Sequence, residues 1–184
     1  MASPLPAHGP LAAAMTTLAG TPDHSPRVET LLVTIAELAT DRVAAADRAW
    51  VSALRDTAVA VPLYAGRGDT VAVLNLYGHD RAAMASLGAG LGVVQGRSGV
   101  ATDAARLAGM DAGGRELVAG HAHALTIRAA IRLAIEMIRA EYRCDPEDAY
   151  LCLWIQAGEA GIDLGEAAAA VIAGREAHEA AMLG

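Results

Sequence analysis

Phenylalanine and lysine are both absent from this 184-residue chain, and aromatic residues make up only 3% of it. A core without Phe has to be assembled from Ala, Val, Leu and Ile. The 54% hydrophobic content supplies these residues and excludes a globally disordered chain. Without Lys, all 14 basic residues are Arg, against 21 acidic ones, for a net charge of −7. A general nucleic-acid binder carries a basic footprint. This chain has none overall, so any contact with phosphate has to come from a local cluster. Cys144 and Cys152 are the only cysteines. Two Cys within one short helical stretch cannot staple a fold, so buried free thiols in a reducing cytoplasm are expected. No apolar run approaches the ~18 residues needed to span a bilayer. No basic stretch precedes an apolar one at the N-terminus, so no signal peptide is expected either.

What is present divides the chain. Five of the seven prolines fall within residues 1–26, which read as a mobile leader with a short helix around Leu11–Leu18. Val28, Leu31, Leu32, Ile35, Leu38, Ala39 and Val43 recur at helical spacing, so an amphipathic helix is expected over Arg27–Ala46. Ala49–Arg55, Ala58–Tyr64 and Thr70–Tyr77 are short and rich in β-formers and read as three strands. Arg55-Asp56 and Gly66-Arg67-Gly68-Asp69 punctuate them, which predicts antiparallel hairpins. Asp80–Gln95 can form a helix, weakened at Gly88, Gly90 and Gly92 by roughly 1 kcal/mol each. A break is expected at Gly96–Gly99, and Val100–Gly114 is ambiguous, with a helical piece near Thr102–Leu107.

Glu116–Arg143 reads as one long helix. Asp145 can cap the next helix, and Pro146 suits its first turn. That helix should run to about Ala157 and break at Gly158 and Gly161, and a last helix should start at Leu164. The expected fold class is α+β: a small antiparallel three-stranded sheet with helices, followed by a C-terminal three-helix bundle. The divisions are a leader at 1–26, a sheet unit at 27–96, a connecting segment at 97–123 and a helical unit at 124–184.

Signatures of catalysis are missing. His121 and His123 are two apart, so on a helix they point away from each other and make a poor metal pair; a solvated helix face is expected. Gly66–Asp69 is a turn and not a phosphate loop, because no helix with Lys and Ser or Thr follows it. No Ser, His and Asp set has a local signature. No enzymatic activity, metal or cofactor is therefore expected.

The order of an amphipathic helix, a strand, Val61-Pro62-Leu63 and Val73-Leu74-Asn75-Leu76-Tyr77 resembles a GAF domain over roughly Val28–Gln95. That family places several tens of residues between its first strand and the Val-Pro-Leu strand, where here only Arg55–Thr57 intervene. The resemblance therefore implies a shortened GAF-like domain without the walls of a small-molecule pocket.

From Leu125 onward the chain resembles an ANTAR module, the three-helix RNA-binding domain of bacterial antitermination regulators. Arg128, Ile131, Ala134, Met137 and Ile138 match its first block. Ala149, Tyr150 and Leu153 match its second, and Leu164 and Ala168 its third, with spacing held throughout. Apart from Arg128 these are core positions, and Ile131, Ala134 and Ile138 share one helix face. The resemblance implies a cytoplasmic transcription antitermination regulator, active as a homodimer, that binds RNA stem-loops in nascent mRNA. The polar positions depart from the family: Arg132 and Glu136 replace glycines, Arg139 replaces a Met, and Asp163 reverses a charge. From Leu125 to the end, five Arg face ten acidic residues, and net negative charge opposes phosphate contact.

Four arginines run the other way. Arg128, Arg132, Arg139 and Arg143 are spaced 4, 7 and 4 apart and form one stripe on the long helix. The stripe is a solvated face paired with Glu136 and Glu147, a phosphate-contact edge for RNA, or a surface for a partner protein. Trp154 lies off the Ala149/Leu153/Ala157 face and is a candidate interface residue. Two functions follow: an RNA-binding antitermination regulator, or a dimeric protein–protein interaction module that has lost RNA binding.

Overall fold

The computed structural model describes residues 9–44, 46, 48–52, 59–96 and 110–183. Its elements are α1 (Pro10–Ala19), α2 (Arg27–Arg42), β1 (Arg48–Ser52), β2 (Val59–Ala65), β3 (Asp69–Tyr77), α3 (Arg81–Val94), α4 (Ala112–Tyr142), α5 (Pro146–Ala160) and α6 (Leu164–Leu183). The chain is α+β and mostly helical.

The strands pair around β3. β2 joins it antiparallel through the Gly66–Gly68 turn, and β1 joins its other edge, Arg48 opposite Tyr77 and Ser52 opposite Val73. A hairpin between β1 and β2, as expected from the order of turns, does not form. Pro62 gives the physical reason for β2 lying outside: it has no N–H for a second neighbour, so its strand belongs at an edge. The expected end of the first strand, with its Arg55-Asp56 turn, lies outside the described residues. The β2–β3 register shifts between Leu63 and Tyr64, with Val71 as the extra residue on β3. The shift lets both Leu63 and Tyr64 be buried although they are adjacent.

α1 is the largest correction. The first 26 residues read as a mobile leader, yet Leu11, Met15 and Leu18 are essentially fully buried and belong to the main core with Ile35, Leu63, Leu74, Leu87 and Leu117. Local composition is a poor guide here because α1 is stabilised from outside. Its N-cap, Gly9, has no side chain to offer. Glu116 of α4 substitutes for one: Oε1 accepts from the backbone N–H of Leu11 at 2.7 Å and of Ala12 at 3.3 Å. Its other oxygen accepts from Arg42 Nε at 2.9 Å, at the end of α2. One carboxylate thus ties α1 and α2 to α4. Close packing of α1 is possible because residue 120 is Gly; a Cβ there would lie 2.7 Å from Ala12 Cα. Residues 1–8 of the expected leader are outside the described residues.

α4 is 31 residues long and packs against α1, α2, α3, α5, α6 and β2. Asp111 caps it, accepting from Gly114 N at 2.6 Å and also from Ala44 N at 2.5 Å. Leu117 enters the first core. About four turns further on, Ile131, Ala134, Ile135 and Ile138 enter a second, shared with Ala149, Leu153 and Ala157 of α5 and Leu164, Ala167 and Ala168 of α6. Tyr150 is only partly buried and packs against the margin of this core, and Met137 is partly buried without belonging to it. α4 ends at Arg143, which is left-handed (φ 53°).

Asp145 caps α5, accepting from the N–H groups of Glu147 and Asp148 at 2.9 Å each, with Pro146 in the first turn. Gly158 does not end this helix. It stays helical, and Gly161 with φ 67° supplies the left-handed cap. α2 stops at Arg42, short of the expected Ala46. α3 matches its expected span and is capped by Asp80; of the break expected after it, residues 97–99 are outside the described residues, as is the Thr102–Leu107 piece. Both thiols are free, but Cys152 is exposed and Cys144 only partly buried, because Cys152 sits on the outer face of α5. No described helix is long and apolar enough to cross a membrane.

Replacing Glu116 by Ala removes the cap on α1 and the ion pair to α2. A loss of about 2 kcal/mol is expected in urea unfolding, since bonds to a charged group contribute roughly 1.5–3 kcal/mol. An unchanged midpoint would mean that α1 is held by its apolar face alone.

Candidate nucleic-acid interface

The arginine stripe of α4 is divided by what packs on it. The β2–β3 turn carries two glycines in the left-handed region, Gly66 (φ 58°) and Gly68 (φ 79°). Their backbone lets the turn lie flat against α4. A Cβ on Gly68 would be 2.7 Å from Arg128 Cγ. In this close approach Arg128 Nε donates to the Gly68 carbonyl at 2.7 Å, and its guanidinium lies 4.7 Å from the Tyr64 ring centre. The Tyr64 ring also stacks against His121, centroid to centroid 6.0 Å. His121, Tyr64 and Arg128 therefore form a column between sheet and helix. Burial raises the Tyr64 pKa, opposed by the positive charges of Arg128 and Arg132.

One turn along α4, Arg132 Nη2 donates to Asp69 Oδ1 at 3.2 Å, an ion pair with both side chains half-exposed or more. Arg67, at the tip of the same turn, reaches Asp69 at 3.9 Å and Glu147 of α5 at 3.6 Å. It also lies 5.9 Å from the Tyr150 ring centre. Tyr150 in turn donates its hydroxyl to Asp23 Oδ1 at 3.2 Å. Its pKa is pushed up to about 12, by burial first and then by the Asp23 charge.

Further along, Arg139 donates to both Glu136 oxygens at 2.8 Å. Arg143 is exposed and has no ion-pair partner among the described residues. The expected pairing with Glu136 therefore holds for Arg139 alone. Glu147 pairs with Arg67 of the turn, because α5 runs beside the turn. Of the four arginines, Arg128 is held by the turn, Arg132 is half-covered by it, Arg139 is locally neutralised and Arg143 is free. Asp69, Gly68, Tyr64 and Asp23 had no individual signal in the sequence. The paired glycines of the turn signalled a tight bend, but not where it docks.

The outer face of α5 exposes Leu151 (44%), Trp154 (45%) and Ile155 (49%), opposite the buried Ala149, Leu153 and Ala157. Trp154 and Leu151 border an open groove of about 600 Å³ shared with the α1–α2 loop and Arg67. A second open groove, about 880 Å³, runs between the end of α4 and α6, lined by Met137, Tyr142, Val171 and Met182 among others. No three His, Cys, Asp or Glu side chains gather as a metal site among the described residues.

His121 departs from expectation. It was expected on a solvated face, yet it is fully buried, because the approach of β2 and α3 covers that side of α4. One ring nitrogen lies 3.2 Å from Gln95 Nε2, and Nδ1 has no hydrogen-bond partner among the described residues. His123 is exposed.

Comparison of the chain with protein-family models, with curated proteins and with solved structures found no match.

Burial lowers the His121 pKa from 6.5 to about 4. The neutral ring is the form compatible with the fold. Its contribution is complete above about pH 6.5 and is lost as the pH falls toward 4, because the unfolded chain takes up the proton first. Urea unfolding at stepped pH should show wild type losing about 3 kcal/mol more than His121→Leu between pH 7 and 4. Parallel curves would show that His121 does not titrate in this window.

Proposed function

We propose that this chain is a non-enzymatic regulator of the GAF–ANTAR type, acting in the cytoplasm through RNA. In this reading β1 to β3 with α2 and α3 are a shortened three-stranded GAF-like unit. The second half of α4 with α5 and α6 is the ANTAR bundle. The observation that carries the reading is the second core. Seven of the nine core positions assigned from the resemblance, Ile131, Ala134, Ile138, Ala149, Leu153, Leu164 and Ala168, are buried in one cluster across three consecutive helices. Three short segments with that spacing have to coincide for this to happen.

The RNA contact in this reading is the edge from Arg132 to Arg143. Arg128 serves chiefly as an anchor, since its guanidinium already has an acceptor and an aromatic face. The edge supplies few cations, so binding should be weak and strongly salt-dependent. A gel shift with paired stem-loop RNA should show a complex at 50 mM salt that weakens at 200 mM. Arg143→Glu should weaken it further at every salt concentration. Absence of any shift at low salt rejects the RNA reading.

A second reading is favoured by one observation. Leu151, Trp154 and Ile155 lie at i, i+3 and i+4 on one face of α5, each close to half-exposed. Contiguous exposed apolar side chains mark interaction sites, and a homodimer through α5 fits them. A dimer is part of the RNA reading and is the whole of the alternative, a protein–protein interaction module without RNA. Sedimentation at tens of micromolar should give a dimer that Trp154→Glu converts to monomer. A wild-type monomer at that concentration removes the dimer from both readings.

A further inference from the structure

We infer that the β2–β3 turn is a built-in occupant of the arginine edge and restrains RNA binding until it lifts. The inference rests on the RNA reading and names the regulation of that site. The turn offers the edge what a phosphodiester would offer, oxygen acceptors at hydrogen-bond distance. The Gly68 carbonyl accepts from Arg128 Nε at 2.7 Å, and the Asp69 carboxylate accepts from Arg132 Nη2 at 3.2 Å. Charge-assisted bonds of this kind are the ones guanidinium groups make with phosphate. While the turn is seated, an RNA phosphate reaching Arg132 has to displace a carboxylate of the same sign.

The contact is poised to release. The Arg132–Asp69 pair is half-exposed on one side and more than half on the other, so solvent and salt screen it. Beyond these two contacts with α4, the turn is tied by Gly66, whose N–H donates to the Thr21 carbonyl at 2.9 Å. Lifting the turn also separates Arg67 from Glu147 of α5, while Asp69 travels with it. The open state would therefore leave Arg128 without its carbonyl acceptor and Arg132 without its carboxylate partner, on one helix face with Arg139 and Arg143. Conversely, Arg128 keeps its place over Tyr64, so the helix side of the site stays formed when the turn leaves.

The test uses the full chain and paired stem-loop RNA in salt titrations. Asp69→Asn removes the competing charge with little change of shape. Gly68→Ala places a Cβ against Arg128 Cγ and strains a left-handed position, pushing the turn outward. Both variants should bind RNA at least about fivefold more tightly than wild type, the low end of measured coupling between sites. The salt dependence should steepen by about one released counterion or more. Glu176→Gln, an exposed carboxylate on α6 away from the turn, makes the same change in net charge and should leave the affinity near that of wild type.

If wild type binds and Asp69→Asn binds no tighter, or Glu176→Gln tightens binding equally, the inference is overturned and the RNA reading stands. If neither wild type nor any variant binds at low salt, the RNA reading falls and the inference with it. Should Gly68→Ala lose its helical circular dichroism, Asp69→Asn decides alone.

Discussion

Two cores share a single rigid member. The 31 residues of α4 extend roughly 46 Å at 1.5 Å per residue. Leu117 near one end and Ile138 near the other enter different cores. A helix resists bending over that length, so the direction it takes in the first core fixes where the second can form. The Glu116 carboxylate sets that direction by holding α1 and α2 to the helix start. At the middle, the column of His121, Tyr64 and Arg128 fills the space between sheet and helix where neither core reaches.

Charge follows from the same constraint. Bringing the β2–β3 turn against α4 places Asp69 beside Arg132 and the Gly68 carbonyl beside Arg128. Arg67 is carried to Glu147. A stripe of four cations on an isolated helix would be an anion-binding edge. In the folded chain its first half faces the protein's own oxygens and its second half is diluted by Glu136. The arginines at the junction hold the sheet unit to the helical unit, while the apolar face of α5 remains outside both cores. The proposed RNA contact draws on α4 and the proposed dimer on α5 of the same bundle.

Much of the framework was legible beforehand. The period of Val28, Ile35 and Ala39 and the cap at Asp145 with Pro146 behind it each act within a few residues of themselves, and each produced the expected element. Gly161 was legible as a stop because a left-handed cap is a local demand. Gly158 was misjudged as one because nothing in its neighbourhood reveals that the helix continues past it. The core positions from Ile131 to Ala168 were legible as apolar residues at repeated spacing on three successive segments.

The sequence by itself determined roughly where the helices lie, which segments are extended and which apolar faces seek cover, since these depend on backbone geometry and on side-chain periods of a few residues. Only the tertiary structure decided that α1 is core, that His121 is buried, that β1 pairs with β3 and that Arg128 and Arg132 are engaged by a turn about sixty residues earlier. Each of these is a contact between distant segments. Its partner is selected by how the packed elements meet in space, and no pattern read along the chain carries that information. The four arginines thus kept their shared helix face, as their spacing required, while their availability to RNA was set by the turn that folds onto them.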